Sequence, residues 1–209
     1  MNAPHSADVL QMGDRGAAQA RLIQALEPLL PRHALLWQAE DTTPYECDGL
    51  TAYRQRPLAV ALPENEDQVQ AVLRCCHALK VPVVARGAGT GLSGGAMPHA
   101  SGLTLSMAKF NRIVRLDAFS RTAVVQCGVR NQAISEAAAP LGLYYAPDPS
   151  SQIACTIGGN VSENSGGVHC LKYGLTLHNV LQIRGFTMAG DPITLGSTAL
   201  DAPGLRSEE

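Results

Sequence analysis

Apolar positions along this chain change period several times, and each change marks an element. Leu22, Ile23, Leu26, Leu29 and Leu30 recur at helical spacing within residues 16–30, and Pro31 stops the run. Leu35 to Arg56 is polar and irregular and reads as a lead-in. Five successive apolar residues from Leu58 to Leu62 then predict a short strand buried on both faces. Glu64, Glu66 and Asp67 put acid at a helix start, where the macrodipole favours it. Val69, Val72, Leu73, Cys76 and Leu79 continue that helix, and Val81 to Ala85 is the next strand. Strand, helix and strand in close succession make a βαβ unit, with parallel strands and a right-handed crossover.

Beyond residue 100 the period shortens. Leu103-Thr104-Leu105-Ser106-Met107 alternates. Ile113–Leu116 and Thr122–Gln126 flank a polar turn and predict a hairpin. Gln132 to Leu141 reads as a helix ended by Gly142. Asn179 to Met188 reads as a late strand, turned by Ala189-Gly190-Asp191-Pro192 into Ile193-Thr194-Leu195. A parallel unit followed by mainly antiparallel strands with helices is an α+β arrangement. Residues 1–52 are expected to form an N-terminal helix and lead-in, and residues 53–209 the main domain.

Composition narrows the classes of function. The chain has 209 residues, 45% of them hydrophobic and 16% charged, which suits a folded domain with a real core. A net charge of -2 leaves no electrostatic footprint for nucleic acid. The sequence contains no bilayer-length apolar run, and its start lacks the basic and apolar regions of a secretory signal, so a cytoplasmic location is expected. The six cysteines show no C-x-x-C spacing and read as reduced thiols packed as small hydrophobes; no metal site is expected.

The candidate chemistry lies in glycine. Arg86-Gly87-Ala88-Gly89-Thr90-Gly91-Leu92-Ser93-Gly94 follows directly on the Val81–Ala85 strand. A loop so poor in side chains lets backbone N–H groups close on an anion, most often a phosphate. Gly89, Gly91 and Gly94 formally satisfy the dinucleotide fingerprint, but a Rossmann site needs a helix to begin there. The Gly95-Ala96-Met97-Pro98 continuation argues against one. No Gly-Lys-Ser/Thr follows either, which excludes the NTPase phosphate loop. A second segment of the same character runs from Pro147-Asp148-Pro149 through Cys155-Thr156-Ile157-Gly158-Gly159-Asn160 to Asn164-Ser165-Gly166-Gly167. Two walls of approachable backbone suit a large, flat, diphosphate-linked cofactor, and FAD meets that description.

At these residues the chain resembles the FAD-binding domain of the vanillyl-alcohol oxidase/PCMH flavoprotein superfamily, and more narrowly the FAD-binding subunits of bacterial glycolate oxidases. Tyr45-Glu46-Cys47-Asp48-Gly49-Leu50, Gly128-Val129-Arg130-Asn131 and His169-Cys170-Leu171-Lys172-Tyr173-Gly174-Leu175-Thr176 carry the narrower likeness. The resemblance implies a PCMH-type fold, with a small parallel βαβ subdomain and a mainly antiparallel sheet with helices. It implies that Arg86, Gly87, Ala88, Gly89, Thr90, Gly91, Ser93 and Gly94 cradle the FAD diphosphate. Pro147 and Asp148 would line the adenine-ribose side or the adjoining diphosphate. Thr156, Ile157, Gly158, Gly159, Asn160, Asn164 and Gly167 would approach the flavin and the linking chain. Some relatives attach FAD through a histidine in the first loop; Thr90 stands at that position here, so dissociable FAD is expected.

The implied reaction is oxidation of a 2-hydroxy acid, glycolate in the narrower family, by hydride transfer to flavin N5. D-lactate and D-2-hydroxyglutarate are the alternative substrates. Implied partners are a second flavin-domain subunit and an iron–sulfur subunit, through which the chain would sit peripherally at the inner membrane. Relatives continue past the segment that resembles residues 195–204 into a last glycine-rich strand and a substrate-binding cap. The chain is therefore expected to be truncated at its C-terminus and inactive alone, with no catalytic base to name. His169, Lys172 and Tyr173 fit local packing as well as they fit a pocket. A non-catalytic remnant or assembly module is the reading of a different class.

Overall fold

The apolar runs that predict strands do form a sheet, in an order that local sequence does not reveal. The computed structural model describes residues 6–197. These form two compact units: residues 6–85, 93–106 and 188–190 in the first, and residues 86–92, 107–187 and 191–197 in the second.

The first unit begins with helix α1 (Ser6–Leu26), followed by the two-residue strand β1 (Leu35–Leu36) and the single turn α2 (Ala39–Thr42). Strand β2 (Ala59–Ala61), helix α3 (Glu66–Leu79), strand β3 (Val83–Arg86) and strand β4 (Leu103–Ser106) follow. The sheet order is β1-β2-β4-β3. β2 and β4 are parallel, with Ala59 opposite Leu103 and Ala61 opposite Leu105. Leu103 N donates to Pro82 O and Met107 N to Arg86 O, so β3 runs the same way as β4. The βαβ unit is thus present, but β4 is inserted between its two strands.

Two further expectations are revised. Within the segment read as a lead-in, β1 pairs antiparallel with β2, Leu35 opposite Ala61. The alternating segment at 103–107 is not one of the mainly antiparallel strands expected beyond the βαβ unit: β4 pairs parallel with β2, and Leu103, Thr104, Leu105 and Ser106 are all buried. β4 is an interior strand of a mostly parallel sheet, so both its faces are covered and its polar side chains are enclosed with the apolar ones.

Leu22, Leu26, Leu58, Val60, Val72 and Leu103 are fully enclosed in this unit. Each such side chain stabilises the fold by about 1.5–3 kcal/mol relative to exposure. Helix α3 starts at Asn65, whose side chain accepts from Gln68 N at 3.0 Å, and ends where Lys80 turns left-handed at φ 58°. Polar groups of α1 fasten it to the ends of the strands. Arg15 donates to the carbonyls of Ala100, Arg56 and Pro57, and Gln19 Nε2 to Leu58 O at 2.7 Å.

The second unit contains the expected hairpin, β5 (Ile113–Asp117) with β6 (Thr122–Val125). Helix α4 (Asn131–Ala138) passes into a 3-10 turn that ends at Gly142, whose φ of 69° is the left-handed stop expected of a glycine. Helices α5 (Ile157–Glu163) and α6 (Cys170–Tyr173) come next. The late hairpin joins β7 (Gln182–Phe186) to β8 (Pro192–Gly196). Val129, Ile134 and Ile157 form the core of this unit, flanked by Ile113, Val125, Ala133 and Tyr145. Among the described residues no helix is long and apolar enough to cross a membrane.

Candidate functional site

The glycine loop and the second glycine segment meet within the second unit. Residues 86–92 belong there and form no helix, as the fingerprint argument required. Their course follows α5 from its start to its end. A Cβ on Gly87 would lie 2.3 Å from Thr156 Oγ1, just before the helix, and one on Gly91 would lie 3.3 Å from Glu163 Oε1, its last residue. Side chains at these two positions would fill the approach between loop and helix.

Arg86 contributes more than its backbone. Its residue is 9% exposed, and the side chain turns under its own loop. A Cβ on Gly89 would come within 2.3 Å of Arg86 Nη2 and 2.6 Å of Cζ. Gly89 itself has φ 71°, in the left-handed region that glycine adopts without steric cost. The loop therefore lies over a cationic side chain. Sequence reasoning assigned Arg86 a backbone role and missed this charge.

Thr156 Oγ1 is buried and pairs with no other protein atom. A buried hydroxyl left unpaired costs about 1–3 kcal/mol. It lies against Gly87, where loop and helix meet, so a hydroxyl without a partner faces the phosphate-type cradle. Glycines at 87 and 89 with no room for a Cβ, an enclosed guanidinium and this hydroxyl together fit a cofactor bearing a diphosphate.

The second glycine segment contains a helix, α5, that periodicity did not predict. Gly158 and Gly159, poor helix formers, both lie in α5, and the surroundings demand glycine at 158. Gly158 N donates to Cys127 O at 2.8 Å, and a Cβ on Gly158 would lie 2.8 Å from Cys127 Cβ. Thr156 is pinned by its antiparallel bridge to Arg130, and Ile157 packs into the core. Asn160 is 2% exposed and donates through Nδ2 to Asn131 Oδ1 at 2.9 Å. Asn164 closes the helix at φ 47° and accepts from Leu177 N at 3.1 Å.

Pro147 is buried, and its carbonyl accepts from Asn131 Nδ2 at 2.9 Å. The Asp148 carboxylate accepts from His169 Nδ1 at 2.6 Å and from His169 N at 3.3 Å. The hydrogen bond from the His169 ring is the main reason the Asp148 carboxyl titrates below the usual carboxylate range. A carboxyl with a lowered folded-state pKa stabilises the fold above its unfolded value and loses that contribution as pH falls through the folded one. Asp148→Asn is accordingly expected to lower the melting temperature at pH 7 and to flatten its decline toward pH 3; an identical decline in both proteins would contradict the pairing. Gly167 lies against the Asp148 backbone. Ser93 and Gly94 belong to the first unit, where Met97 N donates to Gly94 O at 3.0 Å and Gly94 has φ 78°.

His169, Lys172 and Tyr173 lie in or beside the single turn α6. Lys172 Nζ stands 4.9 Å from the centre of the Tyr173 ring, which meets Tyr144 edge-on at 6.0 Å. Burial pushes the Cys76 thiol up to about 12, with Cys75 adding to the shift, in keeping with a packed, unreactive thiol. Among the described residues no three His, Cys, Asp or Glu side chains are grouped to hold a metal ion.

Comparison with known proteins agrees with this geometry. Residues 57–196 match the FAD binding domain family. The chain is 60% identical over 184 residues to glycolate oxidase subunit GlcD of Escherichia coli K12, covering 88% of this chain and 37% of that protein. It is 42% identical over 161 residues to the subunit of the same name from Bacillus subtilis 168, covering 77% of this chain and 34% of that protein. A D-2-hydroxyglutarate dehydrogenase of Xanthomonas citri pv. viticola is 35% identical over 175 residues, covering 84% and 37% respectively. The chain thus spans little more than a third of the length of these relatives. In fold it is similar to p-cresol methylhydroxylase, with a TM-score of 0.74 at 21% identity, over 86% of this chain and 36% of that one. The fold is the expected α+β arrangement of PCMH type. By its sequence, this chain belongs to the FAD binding domain family.

Proposed function

We propose that this chain is the FAD-binding part of an oxidoreductase acting on 2-hydroxy acids, with glycolate as substrate. The observation that carries the reading is the 60% identity to a glycolate oxidase subunit across 88% of the chain. The glycine loop over the Arg86 guanidinium would hold the diphosphate. Thr156 would offer its hydroxyl, and Gly159 and Asn164 their backbone, toward the linking chain and flavin. Pro147 and Asp148 would face the adenine-ribose side. Asp148 suits that side better than the diphosphate, because a carboxylate repels phosphate.

Bound FAD supplies the two-electron acceptor for the substrate. The residues of this chain bind and orient that acceptor, and none is assigned as the base that takes the hydroxyl proton. Substrate choice and proton transfer would belong to the part of the relatives that this chain does not match. The word subunit in the relatives' name supports a multi-subunit assembly. A second flavin-domain subunit and an iron–sulfur subunit are the proposed partners, which would hold the chain peripherally at the inner membrane.

A chimera tests the reading. The matching segment of the E. coli subunit is replaced by this chain, and dye reduction is measured with glycolate, D-lactate and D-2-hydroxyglutarate. Retained glycolate-dependent reduction is expected. A chimera that binds FAD but responds to D-2-hydroxyglutarate or D-lactate instead of glycolate would overturn the substrate. The cofactor is proposed to be non-covalent, with Thr90 offering no ring nitrogen for attachment. Acid precipitation of the loaded chain is expected to leave all flavin in the supernatant; flavin in the pellet would contradict this.

A further inference from the structure

Asn131 is fully buried, at 0% exposure, at the first residue of α4. Its amide is held from both ends. Nδ2 donates to Pro147 O and Oδ1 accepts from Asn160 Nδ2, each at 2.9 Å. Its backbone N–H donates to Cys155 O, also at 2.9 Å. One side chain therefore spans the Pro147–Asp148 segment and α5, while its own backbone fastens the residue before Thr156. The orientation of the amide is determined, because a proline carbonyl can only accept. A side chain with no exposed surface cannot touch a cofactor.

We propose that Asn131 is a positioning residue for FAD: it fixes the spacing between the Pro147–Asp148 segment and α5 without contacting the cofactor. This rests on the FAD reading given above. An aliphatic side chain here would fill the space and leave the Pro147 carbonyl and the Asn160 amide buried without partners. Buried polar networks of this kind specify one arrangement of the segments they join, and they are sensitive to the loss of a single member.

The test is FAD titration of the purified chain by flavin fluorescence, with wild type, N131A, N160A and the double variant. The FAD dissociation rate and the melting temperature of the apoprotein are measured in parallel. N131A is expected to bind at least tenfold more weakly through faster release, with the far-ultraviolet circular dichroism of the apoprotein retained. In the N160A background the same substitution is expected to add less than a factor of two, because the link is already cut. A wild type that binds FAD beside an N131A of equal affinity overturns the positioning role and leaves the FAD reading standing. So does a lower apoprotein melting temperature with unchanged affinity, or losses that multiply in the double variant. A wild type that takes up no FAD overturns both. If N131A does not fold, N131S replaces it: serine keeps a polar hydroxyl in the buried site but is too short to bridge both partners. The same tenfold loss is expected, and unchanged affinity overturns the proposal.

Discussion

Gly89→Val is expected to leave a folded chain that retains no FAD through gel filtration. Two independent penalties converge on this position. Its φ of 71° lies in the left-handed region, where a non-glycine residue costs about 1–2 kcal/mol and a β-branched one is a rare outlier. The new Cβ would also lie 2.3 Å from Arg86 Nη2. An exposed arginine would swing aside, but this residue is 9% exposed and has little room to do so. Valine must therefore either distort the loop or displace the cation beneath it, and both outcomes dismantle the anion cradle. Gly89→Ala carries the same backbone strain with less bulk and is expected to weaken binding about tenfold, the equivalent of ~1.4 kcal/mol. Flavin-to-protein ratio and titration affinity read both variants. Wild-type stoichiometry in Gly89→Val would contradict the assignment of this loop.

The second large effect is expected from Gly167→Ala, and it acts on the fold of the site. A Cβ there would lie 2.0 Å from the Asp148 carbonyl oxygen and 2.3 Å from its carbonyl carbon. Backbone cannot rotate away as a side-chain tip can, so the 147–149 and 166–169 segments must separate. Overpacking of this kind costs about 1–3 kcal/mol. For a chain of this size that lowers the melting temperature by roughly 2–12 °C. Asp148→Ala should not rescue it: it removes the carboxylate oxygen, 2.3 Å from that Cβ, and leaves the two obstructing main-chain atoms in place. Gly185→Ala, with nothing within 4 Å of its built Cβ, is the control and should change the melting temperature little. A melting temperature for Gly167→Ala equal to that of the control would contradict the packing described.

Much of the fold was legible from periodicity alone. The 3.6-residue spacing through Val69, Val72, Leu73 and Cys76 located α3, and the polar turn at 117–121 located the first hairpin. Three features were hidden for physical reasons. β1 has only two residues, and its pairing with β2 is a tertiary event with no local pattern. Thr104 and Ser106 alternate with leucines but give no local sign that β4 is an interior strand, buried on both sides. α5 carries Gly158-Gly159-Asn160, a sequence of low helix propensity; contact with Cys127 and the Asn131 amide overrides that preference.

The candidate site was legible as two glycine segments, and the structure shows why glycine stands at particular places in them. Gly87 and Gly91 keep the loop open toward α5, and Gly89 lies over the Arg86 side chain. Gly158 and Gly167 serve contacts between protein segments instead, against Cys127 and Asp148. Sequence reasoning could not separate these two uses, because both require the same absence of a side chain. Asn131 was also missed. An asparagine just before a helical run reads as an ordinary cap, and nothing local marks it as a bridge to Pro147 and Asn160.

The central claim is that these residues form a working FAD site. Titration of the purified apoprotein with FAD, followed by flavin fluorescence and by the visible flavin band after gel filtration, tests it most directly. Saturable uptake of about one FAD per chain is expected for a single site, lost in Gly89→Val and reversed by acid. A chain that stays colourless and leaves the fluorescence of added FAD unchanged would contradict the account.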